Sequence, residues 1–169
     1  MSDPIRLRRS IRKYKQGEII QDEHLHSILE AAMLAPSACN TRPWEFVVVK
    51  NQELREKIAK LQPYAAHAVQ AAAVIVVVGL PKAQDKLASG FWPQDCAAAT
   101  ENILLEAARL GYGTCWCGLY PREPRAKKMG ALLGIDEEKM PFSIITLGVP
   151  DEAPAMRGKY EEKRVTIIE

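Results

Sequence analysis

Apolar positions recur at three- and four-residue spacing at Leu25, Ile28, Leu29, Ala32 and Met33. This predicts a helix over 22–35, stopped by Pro36. Residues 45–50 alternate less and run β-branched, which predicts a strand led in by Pro43. Asn51 then caps a helix whose apolar positions are Leu54, Ile58 and Leu61. A short helix is expected after Pro63, and a turn of helix after Pro81. Between them the unbroken run Ala73-Val74-Ile75-Val76-Val77-Val78-Gly79 predicts a strand buried on both faces. Residues 114–120 predict a further strand, broken by Pro121. Pro124 opens a helix that runs to Leu133 and ends at Gly134. Residues 142–149 predict a fourth strand, stopped by Pro150.

The central helix is predicted over 94–110, with Pro93 before it and Gly111 placed for a left-handed C-cap. Its small residues Ala97, Ala98, Ala99, Ala107 and Ala108 fall on several faces, so we expect it to be buried. Burial on all sides in 169 residues points to a second subunit. The tail from Asp151 is polar until Val165-Thr166-Ile167-Ile168. Such a tail suits an arm that adds an edge strand to a partner. At the other end, Leu7, Ile11 and Tyr14 recur at helical spacing, which predicts a helix with Arg8 and Arg12 one turn apart on another face.

Composition narrows the classes. The length suits one domain over 1–169, and 47% hydrophobic with 26% charged residues is ordinary for a globular chain. A net charge of +2 provides no global pull toward nucleic acid or anionic membrane. No apolar run approaches the ~20 residues of a membrane span. Met1-Ser2-Asp3-Pro4 carries no apolar signal-peptide core, so a cytoplasmic, reducing location with free thiols is expected. Cys115 and Cys117 form a C-x-C with no His near them in sequence. We read them as small buried strand residues facing one side. Two thiolates fall short of the four ligands of a structural zinc site, so no metal is expected, with a zinc site as the minor alternative.

The dense basic cluster Arg6-Leu7-Arg8-Arg9-Ser10-Ile11-Arg12-Lys13-Tyr14-Lys15 has the donors for a phosphate dianion. Arg binds phosphate bidentately and stays charged, and Ser10 adds a hydroxyl.

Taken in order, Arg8-Arg9-Ser10-Ile11-Arg12-Lys13-Tyr14, Ala35-Pro36-Ser37-Ala38-Cys39-Asn40-Thr41-Arg42-Pro43-Trp44, Leu110-Gly111-Tyr112-Gly113-Thr114-Cys115-Trp116 and Ile145-Thr146-Leu147-Gly148-Val149-Pro150 resemble the nitroreductase family of FMN-dependent oxidoreductases. The resemblance runs over essentially the whole chain. It implies an α+β, three-layer fold with a mixed central sheet flanked by helices, and a C-terminal arm that adds to the partner subunit. It implies a homodimer with FMN at the subunit interface, typically burying more than ~2,000 Å². On the same resemblance, Arg8, Arg9 and Ser10 hold the phosphate and ribityl chain, and Arg12 sits toward the pyrimidine edge. Pro36, Ser37, Ala38 and Asn40 wall the flavin from the other subunit. Cys117 and Gly118 offer backbone N–H groups near flavin N5 and O4. Arg157 and Lys159 match a late basic pair near the phosphate, with Arg164 as the alternative. No insertion lengthens the stretch between the middle helix and the last strand, which implies an open, permissive substrate side.

The chemistry is compatible with that assignment. The flavin ring carries the redox step and the protein tunes it. A cation at Arg12 would stabilise the anionic reduced ring. No side chain stands out as a general acid, so the catalytic side chains are unassigned. The implied activity is reduction of nitroaromatic, quinone or related acceptors by NADH or NADPH, in ping-pong hydride transfer. A flavin-storing or redox-sensing protein without turnover is the alternative. Binding of nucleic acid through residues 6–15 is disfavoured by the low net charge and the interleaved apolar side chains.

Overall fold

Five α-helices and four strands form in the computed structural model, which describes residues 3–156, 158 and 160–169. The strands are β1 (Trp44–Val49), β2 (Ala73–Gly79), β3 (Gly113–Gly118) and β4 (Met140–Gly148). They pair in the order β1-β2-β4-β3, antiparallel throughout. The helices are α1 (Pro4–Leu7), α2 (Asp22–Met33), α3 (Gln52–Leu61), α4 (Trp92–Arg109) and α5 (Glu123–Leu133).

The sheet is buried on both faces, as the β-branched run predicts. Ile75, Val77, Ile145 and Leu147 pack with α2 and α4 on one side. Val74, Val76, Val78 and Ile144 pack with α3 and α5 on the other. This gives three layers and an α+β fold. Turn chemistry marks the ends as expected. Asn51 accepts the Leu54 N–H at 2.9 Å, and Gly134 closes α5 at φ +67°. Gly111 follows α4 at φ +85°.

Two expectations need correction. The implied mixed sheet is antiparallel among its four strands, and its parallel element is a single bridge between Ser10 and Thr114. The predicted N-terminal helix ends at Leu7, and the chain from Arg8 is extended. There Ile11 and Tyr14 are buried against the sheet margin while Leu7 is exposed, so their spacing did not report a helical face. Two glycines admit them: a Cβ on Gly113 would stand 2.8 Å from Ile11, and one on Gly148 2.8 Å from Tyr14. The expected C-terminal arm concerns a partner chain; within one chain segment 165–168 pairs with no strand, and Ile167 and Ile168 are 80% and 91% exposed.

Within one chain the central helix is largely but not wholly covered. Only Gln94 and Arg109 are exposed along α4. A half-buried stripe remains at Ala97, Glu101, Leu105 and Ala108, spaced to lie on one face.

Candidate functional site

The extended segment 8–15 is stitched to the ends of β3 and β4. Ile11 N–H donates to the Thr114 carbonyl at 2.8 Å, and Lys15 N–H to Val149 at 2.9 Å. Asp151 N–H returns to the Lys13 carbonyl at 2.9 Å. The Tyr14 hydroxyl donates to the Ile11 carbonyl at 2.7 Å and lies 2.7 Å from Thr146 Oγ1. Burial pushes that phenol well above its usual pKa, so it is a neutral structural group.

This stitching holds a basic concavity open. Arg6, Arg8, Arg9, Ser10 and Arg12 line a cavity of about 540 Å³ together with Glu152 and 154–156. Four guanidinium groups face one carboxylate there. Glu152 is itself engaged, accepting the backbone N–H groups of Arg12 and Lys13. Arg8 is tied to α4 through Glu101 at 3.4 Å. Arg9 reaches back to the carbonyls of Arg6 and Arg8, and its Nε is buried without a partner. This donor set suits a dianion such as a phosphate monoester.

Cys117 and Gly118 lie at the other end of β3. Four residues of strand rise separate Gly118 from Thr114, about 13 Å. The side chains alternate: Trp116 points to the α4 side against Phe142, and Cys115 and Cys117 point to the buried α3–α5 side. A second cavity of about 330 Å³ is lined here by Gln62, Tyr64, Trp116, Tyr120, Arg122 and Arg125, among others. Gln62 is buried; its amide donates to the Gly118 carbonyl at 2.8 Å and accepts from Arg125 at 2.9 Å. This chain of hydrogen bonds fixes the backbone at the strand end.

The loop of Pro36, Ser37, Ala38 and Asn40 lines neither cavity. It sits at the N-terminal end of α4, where buried Asp95 accepts the Ala38 N–H at 3.0 Å. Cys39, Asn40 and Arg42 hold φ near +50°, a left-handed conformation that costs energy in non-glycine residues. Ser37 Oγ accepts the Arg42 N–H, and Arg42 Nε donates to Asn40 Oδ1, so the loop is held rigid.

The structure therefore brings Arg8, Arg9, Ser10 and Arg12 together, and Cys117 with Gly118 along the same strand. The loop 36–40 stands apart within one chain. Arg157 and Lys159 lie outside the described residues. Arg164 is exposed and pairs with Glu161 at 3.1 Å.

Gln62, Asp95, Arg125 and Glu152 were not foreseen. Each is a polar residue in a helix end or loop, where exposure is the default expectation, and nothing in their local spacing marks them. His67 is a further case. Its donor atom and the sulfurs of Cys115 and Cys117 all lie within 4.8 Å of one another, so three ligand-type groups converge where two were counted. The hydrogen bond from Cys117 holds the Cys115 thiol below the ordinary thiol pKa, against the opposing effect of burial. Cys117 is pushed up in turn by that hydrogen bond and by burial.

Comparison with known proteins gives a consistent picture. The sequence profile of the Nitroreductase family matches residues 5–88 and 60–149. A protein of Methanothermobacter thermautotrophicus, provisionally named an NADH dehydrogenase/NAD(P)H nitroreductase, is 44% identical over 163 residues. That alignment covers 96% of this chain and 84% of the relative. The crystal structure of a provisionally named NADH oxidase from Clostridium acetobutylicum superposes with a TM-score of 0.92 at 38% identity, covering 99% of both chains. A provisionally named nitroreductase of Desulfovibrio desulfuricans, solved in complex with FMN, superposes at 0.85 with 27% identity, covering 98% of this chain and 95% of its own.

Proposed function

The chain belongs to the nitroreductase family, and from that premise we propose that it is an FMN-dependent oxidoreductase. It would take hydride from NADH or NADPH and pass it to a nitroaromatic, quinone or related acceptor in ping-pong order. The observation that carries this is the arginine-lined cavity at one end of β3, with pinned backbone at the other. A molecule with a phosphate at one end and a flat polar ring at the other fits that spacing better than a small ion does.

Bound FMN would supply a ring that accepts and returns hydride. Arg8, Arg9 and Ser10 would hold its phosphate, and Arg12 would offset negative charge on the reduced ring. Cys117 and Gly118 present backbone at the ring, held in place by Gln62. Arg157 and Lys159, or Arg164, bring further cations to the phosphate.

The same reading makes the active unit a homodimer. Ile5, Leu34, Ile167 and Ile168 are exposed apolar side chains, and the stripe on α4 is only half covered. The rigid loop 36–40 lines neither the arginine cavity nor the one at Gly118, and in this reading it walls the flavin held by the second chain. The tail supplies the reaching arm.

The test is the absorption spectrum of the purified protein. We expect a flavin spectrum, affinity for FMN well above that for riboflavin, and bleaching on addition of NADH or NADPH. Equal affinity for riboflavin and FMN contradicts the phosphate assignment. A flavin that binds but does not bleach leaves storage or sensing in place of catalysis.

A further inference from the structure

Cys115 and Cys117 are 3% and 5% exposed, on the face of β3 turned away from Trp116 and Gly118. The helical turn Pro63–Val69 closes over that face and brings in His67, 48 positions from Cys115 in sequence. All three donor atoms lie within 4.8 Å of one another. His67 Nε2 is buried and has no hydrogen-bond partner. Burying an imidazole nitrogen unpaired costs free energy, which a ligand at that nitrogen would relieve.

We infer that His67, Cys115 and Cys117 form a binding site for a thiophilic divalent metal ion, with Zn(II) the best fit. Metal–sulfur bonds near 2.3 Å and metal–nitrogen bonds near 2.0 Å set tetrahedral donor separations of roughly 3.5–3.8 Å. Closing the observed spread requires a movement of about 1 Å. Two thiolates and a neutral imidazole make a divalent ion electrically neutral, which burial favours; a monovalent ion would leave a net negative charge. Binding takes both sulfurs as thiolates and releases to solvent the thiol protons they still carry. Three side chains leave the fourth position of a tetrahedral site to water or a backbone oxygen. Beside it stands the Tyr64 carbonyl, which accepts from Cys117 Sγ at 3.2 Å and is freed when that thiol ionises.

A disulfide explains the pair less well. Residues two apart on one strand have Cα atoms about 6.7 Å apart, at the edge of the disulfide range, and their Cβ vectors run parallel. A disulfide also leaves His67 Nε2 unpaired. The inference is independent of the flavin reading, because it is measured as metal binding without reductant or acceptor.

Full-length protein, stripped with a chelator and dialysed, is titrated with Zn(II) alone and with Cd(II) as a spectroscopic probe. We expect one ion per chain by elemental analysis and a cadmium–thiolate absorption that saturates at one equivalent. Loss of a supporting residue alone costs metal sites roughly 10- to 100-fold, so loss of a direct ligand by Cys115→Ser or His67→Gln should weaken binding at least about 100-fold. Cys39→Ser, at the exposed thiol, should leave it unchanged. His67→Gln lies on a half-buried turn and carries the test if Cys115→Ser fails to fold by circular dichroism. Sub-stoichiometric binding, binding that survives His67→Gln, or binding lost in Cys39→Ser overturns the inference.

Discussion

Segments 8–15 and 153–169 both lie outside the four-stranded sheet, both are rich in charge, and both carry spaced apolar side chains. The first is fastened through backbone hydrogen bonds to Thr114, Val149 and Asp151, and it buries Ile11 and Tyr14. Among the described residues, the backbone hydrogen bonds of the second are local, from Arg164 to Glu161 and from Val165 to Glu162. Its apolar side chains Val165, Ile167 and Ile168 remain exposed. The difference lies in the receiving surface. Segment 8–15 meets β-strand ends, and Gly113 and Gly148 leave room for its side chains. Among the described residues of 153–169, only the first few lie against segment 8–15, at the arginine cavity, and 165–168 pair with no strand. An extended segment becomes structure only where an edge accepts its donors and a surface accepts its side chains. The proposed dimer supplies that edge to the tail from a second copy.

Cutting the chain after Glu152 should have the largest effect and breaks the comparison most sharply. The cut spares Asp151 and Glu152, which fasten segment 8–15. We expect the monomer fold to survive by circular dichroism, while dimer and bound flavin are both lost in sedimentation and absorbance. A truncated protein that stays dimeric and yellow would remove the distinction between the two segments.

Next in size is Tyr14→Ala, which deletes a buried aromatic and leaves Thr146 unpaired. It should cost about 3–5 kcal/mol in denaturant unfolding. The parallel change Ile168→Ala should cost less than about 0.5 kcal/mol of monomer stability, because that side chain is exposed. Similar losses at both positions would show that the tail is packed on its own chain.

Arg8→Ala should weaken FMN about 10- to 100-fold, the equivalent of one charge-assisted hydrogen bond of roughly 1.5–3 kcal/mol. Riboflavin affinity and the fold should change little, since the Arg8–Glu101 pair is half exposed. Unchanged FMN affinity in an isothermal titration means that segment 8–15 is a structural strap only.

The smallest effect is a baseline remote from both segments. Glu106 accepts from Arg109 and Ser27, and chiefly the Arg109 hydrogen bonds hold its pKa below the ordinary glutamate value. A depressed folded-state pKa contributes stability above the unfolded value and loses it as pH falls through the folded one. Glu106→Gln should therefore lower the unfolding free energy at neutral pH by less than about 1 kcal/mol, with the gap closing in acid. A gap that widens in acid contradicts this sign.

The sheet and helices were legible because their signals are local. Val74 to Val78 form a β-branched run, Pro124 and Gly134 bracket α5, and Asn51 caps α3. The arginine cradle was legible as a charge cluster, although its backbone was not. Leu7, Ile11 and Tyr14 have helical spacing, and only the gaps at Gly113 and Gly148 turn the segment into an extended strap. Those gaps are tertiary facts. Asp95, Gln62 and His67 escaped notice for the same reason: each acts on a partner dozens of residues away. The loop 36–40 was legible as turn-rich, but its three positive-φ residues follow from Asp95 and Ser37 holding the backbone.

The central claim is that flavin is held between two copies of this chain. A dilution series read at once by analytical ultracentrifugation and by flavin fluorescence tests it most directly. Dissociation of the dimer and release of flavin should follow the same concentration dependence, with NAD(P)H oxidation falling alongside. A monomer that keeps stoichiometric FMN and still oxidises NAD(P)H would contradict the account.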